Sequence, residues 1–342
     1  YLSSFPLLYL PRFNHTLQDP IMHVRVMPGK SKDWGPYVLS GWKYSITEHV
    51  SGRMYLDYRS KLGFAEGFGS NYTTPGIGKG DFKFYYSKEK PGASKLSANA
   101  QRTEFQRYLV RWRHKWDIAD QTSFISEFYK IGDQRRKYYD LNSNILKDYF
   151  YREYEKDSEP LSYALFHHSF GYSSIDILAQ KRVNHWFDQL DKLPEIKYTL
   201  PSMQVGNSPL YFENSSVFTN FNKKATTSPV SAEEISVNRL DAINKLSMPM
   251  KLAFIEFTPF LKDRQVFYDK GANGKSLPVN TIFYAGADLS TKFYRFFDVK
   301  SDFLGMGIKG LRHVITPTIG YSYNHTPTIS PGNLKYIDNV DL

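Results

Sequence analysis

The chain has 342 residues, 41% hydrophobic and 23% charged, with 44 Lys+Arg against 34 Asp+Glu for a formal charge of +10. That apolar content excludes a disordered chain, and the absence of cysteine excludes disulfide scaffolds, thiol catalysis, cysteine zinc sites and iron–sulfur clusters. No apolar run approaches the ~18 residues of a membrane-spanning helix, which leaves open a membrane β-barrel, whose strands need only ~9–11 residues.

Alternation with a period of two dominates the chain. Residues 23–28 and 37–46 are the first predicted strands. Next, Met54, Leu56 and Tyr58 alternate with Arg53, Tyr55, Asp57 and Arg59. A strand over 63–72 follows, and then Phe82, Phe84 and Tyr86 alternate with Lys83, Tyr85 and Ser87. The clearest stretch runs from Phe105 to Trp116. One face carries Arg107, Leu109, Arg111, Arg113 and Lys115, the other Tyr108, Val110, Trp112, His114 and Trp116. A helix stripe recurs at three and four, so this is a long two-faced strand. Further strands are predicted at 122–131, 163–172, 173–183, 208–221, 250–260, 282–293 and 311–323, roughly a dozen in all. Turn chemistry such as Gly29-Lys30-Ser31, Pro75-Gly76 and Gly206-Asn207-Ser208 separates them.

Two segments break the period. Residues 133–160 read as a long excursion with a short helix, and residues 222–245 as a polar loop or short helix. No βαβ alternation occurs, so one antiparallel all-β system is expected. In a water-soluble sandwich the aromatic face would be core and the basic face solvated. In a membrane barrel the aromatic face would meet lipid and the basic face the lumen.

Sites of covalent chemistry are not legible. Gly76-Ile77-Gly78-Lys79-Gly80-Asp81 lacks the glycine and hydroxyl of a phosphate loop, with Thr73 and Gly80 in those places, and reads as a hairpin turn. His167 and His168 are adjacent in a strand and point to opposite faces, so with His185 they make no chelate; no metal or other cofactor is expected. Glu233-Glu234 and Glu153 with Glu155 read as solvated surface. No serine-hydrolase elbow or zinc-protease motif occurs, and nothing points to an enzyme. The sequons at Asn14, Asn71, Asn214 and Asn324 matter only in a eukaryotic secretory context. A nucleic-acid partner is disfavoured because Arg111, Arg113 and Lys115 face away from Trp112 and Trp116, whereas a single-strand binder needs cations and rings on one face. Pro11 and Pro28 supply no strand N–H; each either ends a strand or weakens a pairing.

Several segments, taken in order, resemble the LptD family. They are Leu7-Leu8-Tyr9-Leu10-Pro11-Arg12-Phe13 and Val26-Met27-Pro28-Gly29-Lys30-Ser31 with Trp34-Gly35, then Leu146-Lys147-Asp148-Tyr149-Phe150-Tyr151-Arg152-Glu153-Tyr154. Leu193-Pro194-Glu195-Ile196 with Gly206 to Phe212, and the stretch from Leu311 to Tyr323, complete the series. The resemblance implies an outer-membrane barrel of a Gram-negative bacterium that moves lipopolysaccharide to the outer leaflet, the sugar through a lumen and the lipid through a lateral gate. It implies an LptE-like plug lipoprotein and an LptA-like periplasmic bridge as partners. Residues 1–10 would be the end of a periplasmic β-jellyroll, and 11–342 the N-terminal part of the barrel, a fragment that forms an open, curved, partial barrel. Pro11 and Pro28 match the gate positions. Arg107, Arg111, Arg113 and Lys115 would face the lumen and contact lipopolysaccharide, while Trp34, Trp42, Trp112 and Trp116 would sit at membrane interfaces. A different outer-membrane barrel (porin or receptor) and a soluble basic β-protein binding polyanions are the alternative readings.

Overall fold

The computed structural model describes residues 22–90, 104–138, 142–223, 234–271, 279–301, 305, 307–329, 333 and 337. Pro11 and the expected jellyroll end at 1–10 lie outside them. The chain divides into two units, 1–113 with 130–158, and 114–129 with 159–342.

The first unit is an antiparallel meander. Its strands are β1 (Met22–Ser31), β2 (Gly35–Thr47), β3 (Val50–Arg59), β4 (Gly63–Thr74) and β5 (Gly78–Glu89). The first nine residues of β6 (Phe105–Ala119) and the last of β7 (Thr122–Asp133) also belong to it. Each of β1 to β5 pairs with the next. Tight turns make this possible. In the Pro75-Gly76 turn, Ile77 N–H donates to Thr74 O at 3.2 Å, and Gly76 and Gly78 adopt φ of 79° and 99°, a region that costs a side-chain-bearing residue. The expected excursion after β7 holds three short helices rather than one: α1 (Gln134–Tyr138), α2 (Ile145–Tyr149) and α3 (Tyr151–Lys156). Asn144 caps α2, its side-chain oxygen accepting from Leu146 N–H at 2.9 Å.

The second unit continues with β8 (Ser162–Ser169), β9 (Ser174–Lys181), β10 (Asp191–Gln204), β11 (Tyr211–Lys223) and β12 (Ile235–Ser247). After these come β13 (Met250–Leu252), β14 (Ile255–Tyr268), β15 (Asn280–Thr291), β16 (Phe293–Ser301), β17 (Ile308–Ile315) and β18 (Thr318–Asn324). The sheet order is β8-β9-β10-β11-β12-β14-β15-β18, with β13 paired to β14 and β16–β17 a separate two-stranded ribbon.

The described residues hold eighteen strands, more than the dozen expected. The difference is instructive. β10 is hidden in the sequence by Pro194 and Pro201, and its pairing with β11 shifts register between Lys192 and Glu195 and again between Leu200 and Met203, where those prolines stand. Residues 235–245, expected to be loop or short helix, form most of β12. Their alternation is masked because Asn238, Arg239, Asp241, Asn244 and Lys245 put polar groups on both faces. The single strand expected at 250–260 is broken at Ala253, which sits at φ 55°, and the one at 311–323 is two strands.

Several strands approach closely through an aromatic ring laid over a glycine. Tyr44 faces Gly52, Tyr72 faces Gly80 and Phe260 faces Gly286 as cross-strand partners. A Cβ on Gly52 would lie 2.2 Å from Gly69 O and 2.3 Å from the Tyr44 hydroxyl. The ring fills the space a side chain would take, and Tyr44 O–H donates onward to Gly69 O at 3.1 Å.

Candidate functional site

Paired residues of neighbouring strands share a face, so the ladders show what each face carries. In the first unit Val24, Trp42, Met54, Phe68 and Phe84 form one row across five strands. Val24, Met54 and Phe68 are exposed, with Leu56 and Phe64 beside them at 58% and 72%. Glu66 interrupts this face. In the second unit Phe212, Leu246, Leu261, Ala285 and Tyr323 form a matching row, with Leu261 61% exposed. Among the described residues nothing within their own units covers these apolar faces, and they far exceed the scattered apolar residues of a water-soluble surface. Hydrocarbon is the medium that suits them.

The opposite face of the first unit is polar and packed. At its centre lies Arg107, fully buried on β6. It donates from Nη1 to Glu89 Oε1 at 2.8 Å, and from Nη2 to Asp133 Oδ2 at 2.9 Å, Asp148 Oδ2 at 2.7 Å and Ser143 Oγ at 3.2 Å. Glu89 ends β5 and Asp133 ends β7, while Ser143 and Asp148 belong to the excursion. One guanidinium therefore ties three carboxylates from three segments; its planar fork suits this and a lysine would not. Arg135 adds a contact to Glu89 Oε2 at 3.6 Å. Tyr149 donates its phenol proton to the same carboxylate and lies within 3.2 Å of Ser87 Oγ. Burial, followed by the charge on Glu89, pushes the Tyr149 pKa up.

The network extends along the sheet. Arg59 stacks over Tyr149 at 4.3 Å and over Trp34 at 4.6 Å, and donates to Tyr85 O–H at 3.0 Å and Asp57 at 3.3 Å. Tyr85 in turn donates to Asp57 at 2.7 Å. Glu153 of α3 receives Lys83 at 2.6 Å and Arg111 at 2.9 Å. Asp81 receives Arg111 at 2.7 Å and Arg113 at 3.0 Å. Lys83 also lies 3.4 Å from the Phe150 ring centre. Arg59, Lys83, Arg107, Arg111, Arg113 and Arg135 thus face Asp57, Asp81, Glu89, Asp133, Asp148 and Glu153, and the six charges of each sign cancel.

The residues singled out from the sequence therefore separate. Arg107 and Arg111 face the excursion and bind it, with Arg107 enclosed by its carboxylates. Arg113 is half-exposed beside Asp81, and Lys115, in the second unit, is half-exposed 3.5 Å from Asp117. Trp34 lies in the β1–β2 turn and packs on Arg59 and Tyr37 rather than on the apolar face. Trp42 is on the apolar row and donates from Nε1 to Ser40 Oγ at 3.1 Å. Trp112 is exposed and donates to Tyr72 O–H at 3.1 Å, and Trp116 is half-buried on β6. Pro28 stands opposite Val38 in β1 and gives β2 no N–H. Glu153, expected to be solvated with Glu155, is the double acceptor just described, whereas Glu155 is exposed. The sequence reading missed the acceptors Glu89, Asp133 and Asp148; the signal available for Asp148 was its place in the Leu146–Tyr154 segment.

In the second unit, His167 Nδ1 lies 2.5 Å from Asp176 Oδ1 and its Nε2 lies 3.0 Å from Ser169 Oγ. The connectivity matches a hydroxyl–imidazole–carboxylate relay, but the Ser169 N–H is engaged with Gln121 O at 2.8 Å, so it offers no oxyanion donor. Among the described residues no group of three His, Asp or Glu side chains could hold a metal. No helix of the described residues is long and apolar enough to cross a membrane, which says nothing of strands.

Comparison with known proteins places these faces in context. No curated protein matches the chain. Among solved structures, a bacterial polysaccharide outer membrane secretin aligns over 85% of this chain and 91% of its own, at 6% identity and a TM-score of 0.28. The family model described as LPS transport system D matches residues 105–341, more than half of the chain. With its antiparallel sheets, apolar on one face and ion-paired on the other, the chain is an outer-membrane β-barrel protein and belongs to the LptD family.

Proposed function

We propose that the chain carries lipopolysaccharide to the outer leaflet of a Gram-negative outer membrane, the saccharide passing along the polar face and the lipid leaving sideways between strands. The observation that carries this reading is the pairing of an uncovered apolar face with a polar face that holds a folded excursion by buried charge. A barrel wall needs the first to meet lipid. A conduit for a large amphiphile needs a polar interior with a fixed shape, and the Arg107 node gives the excursion one position. The work is transfer of an amphiphile across a hydrophobic slab, with no covalent step. The exposed apolar rows weigh against a soluble polyanion binder.

In this reading Pro11 and Pro28 weaken the lateral seam, an LptE-like lipoprotein fills the lumen, and an LptA-like bridge delivers the substrate. Half-exposed Arg113 and Lys115 remain open to the saccharide, and the tryptophans Trp112 and Trp116 serve the membrane boundary, while Trp42 lies in mid-strand beside Met54 and faces the hydrocarbon. The test is surface delivery in cells carrying the intact protein. Pro11→Thr and Pro28→Thr, singly and together, are expected to slow the appearance of newly made lipopolysaccharide at the cell surface. Unchanged surface levels in all three variants would remove the gating role. A barrel that passes small neutral solutes freely, with no defect in surface lipopolysaccharide when the protein is depleted, would favour a porin.

A further inference from the structure

A carboxylate stands inside the apolar face of each unit, where hydrocarbon is the expected medium. In the second unit it is Asp263 of β14. Its row across the strands is Asn214, Asn244, Asp263 and Phe283, and the adjoining row is Phe212, Leu246, Leu261, Ala285 and Tyr323. Leu240 and Phe267, both exposed, lie further along the same face in the other direction. A chain of amides fixes the carboxylate. Ser216 Oγ donates to Asn214 Oδ1 at 3.0 Å, Asn214 Nδ2 to Asn244 Oδ1 at 2.7 Å, and Asn244 Nδ2 and Gln265 Nε2 each to Asp263 Oδ2 at 3.2 Å. Lys262 and Arg264, its chain neighbours, face the opposite side, where they meet the Tyr284 ring and Asp241. In the first unit the carboxylate is Glu66 of β4, paired with Leu56 and Tyr86 and standing between exposed Phe64 and Phe68. Among the described residues neither Asp263 nor Glu66 has a cation within the 4.0 Å of an ion pair. A charge facing hydrocarbon is costly unless paired, and such a residue marks a site that another molecule completes.

Each carboxylate opens on an apolar groove. The groove at Asp263 has a volume of about 360 Å³ and runs over Leu246, Leu261, Phe283 and Tyr323. The groove at Glu66 has a volume of about 460 Å³ and runs over Trp42, Met54, Leu56 and Phe84. His325 also lines the Asp263 groove, with its Nδ1 at 2.7 Å from Thr326 O. An apolar channel with a few placed polar groups is the form of a small-molecule site, and here the placed group is anionic. We propose that both grooves bind membrane lipid with an ammonium head, as in an ethanolamine phospholipid. The ammonium donates to the carboxylate, and an acyl chain lies along the groove. Charge decides the lipid class: an anionic head meets repulsion, and a neutral head leaves the carboxylate unpaired. The occupant is a lipid of the surrounding bilayer, held on the outside of the wall. The proposal therefore goes beyond the transport reading and does not depend on its cargo.

The test is native mass spectrometry of the intact protein released from detergent micelles. The probes are ethanolamine, choline and glycerol phospholipids with identical acyl chains. The wild type is expected to retain two ethanolamine lipids, each about tenfold more tightly than the glycerol lipid, the effect of one charge-assisted contact. The choline lipid, whose nitrogen has no N–H to donate, should bind less tightly than the ethanolamine lipid. Asp263→Asn keeps an oxygen for the two amides and removes the charge. It should lose one retained ethanolamine lipid, Glu66→Gln the other, and the double variant both. Equal affinity of the wild type for ethanolamine and glycerol lipids overturns the proposal without recourse to any variant. So does full retention of ethanolamine lipid by the double variant. Self-association of the lipid-free protein that the double variant abolishes would assign the grooves to a second copy of the chain and overturn it as well. None of these readouts involves a transport step, so the lipid sites stand or fall separately from the transport reading, which is judged by surface lipopolysaccharide on depletion of the protein.

Discussion

Arg107 donates to Asp148 at 2.7 Å across 41 residues of sequence, joining a sheet strand to the excursion that covers it. Asp148 is one-third exposed, but Glu89 and Asp133 on the same guanidinium are buried almost completely. Truncating Arg107 would leave Asp133 with no cation and Glu89 with only Arg135 at 3.6 Å and the Tyr149 hydroxyl, and breaking a buried pair in this way costs about 3–5 kcal/mol. Arg107→Ala is therefore expected to release the excursion, whereas Arg113→Ala, at a half-exposed pair, costs about 1 kcal/mol or less. Limited proteolysis within 134–158 distinguishes them: Arg107→Ala should be cut much faster than the wild type and Arg113→Ala at nearly the wild-type rate.

Tyr149 adds a pH dependence. Burial and the neighbouring Glu89 raise its pKa above the ordinary 10.0, so the docked phenol keeps its proton where a free one would lose it. A folded-state pKa above the unfolded one means the contribution is complete below pH ~10 and is lost as pH rises past it toward the folded value. The chain has no cysteine, so a spin label at Arg152→Cys on exposed α3 reports the excursion alone. Its mobility should stay constant to about pH 10 and increase above. Adding Tyr149→Phe should make the label more mobile at neutral pH, since Glu89 loses a donor worth about 1–3 kcal/mol, and should remove this alkaline step. An alkaline step that persists in Tyr149→Phe would assign it to another group.

The apolar rows predict a cost that only lipid imposes. Met54 lies in mid-strand between Trp42 and Phe68. In a membrane-embedded wall Met54→Arg should destabilise by about 2–4 kcal/mol, whereas on a water-facing sheet the same change falls within about 0.5 kcal/mol. Equilibrium unfolding of the protein in lipid vesicles decides between these, and a near-zero effect would remove this face from the bilayer.

The ring-over-glycine contacts give a packing prediction. A Cβ at Gly52 meets the backbone oxygen of Gly69, which no side-chain rotation can move away. Gly52→Ala should cost about 1–3 kcal/mol. Gly171→Ala, where nothing lies within 4 Å, should leave the melting temperature unchanged. Equal melting temperatures for the two variants would show that β3 and β4 are free to separate.

Much of the wall could be read directly. The face assignment at Phe105–Trp116 required only that side chains alternate, and the row from Val24 to Phe84 follows the same rule. β10 and β12 escaped because alternation is legible only where the two faces differ in polarity and the backbone can donate throughout. Pro194 and Pro201 break the second condition, and Asn238, Arg239, Asp241, Asn244 and Lys245 the first.

By itself, the sequence determined most of the strands and, within those, which residues share a side, because period and turn chemistry are local properties of the backbone. Only the tertiary structure decided which charges cancel. Arg107, Arg111, Arg113 and Lys115 all read as inward cations. Glu89, Asp133, Asp148 and Glu153 arrive from other segments to neutralise Arg107 and Arg111, whereas Arg113 and Lys115 stay half-exposed beside Asp81 and Asp117. A Coulomb interaction depends on distance through space, and the chain brings those partners together only by folding.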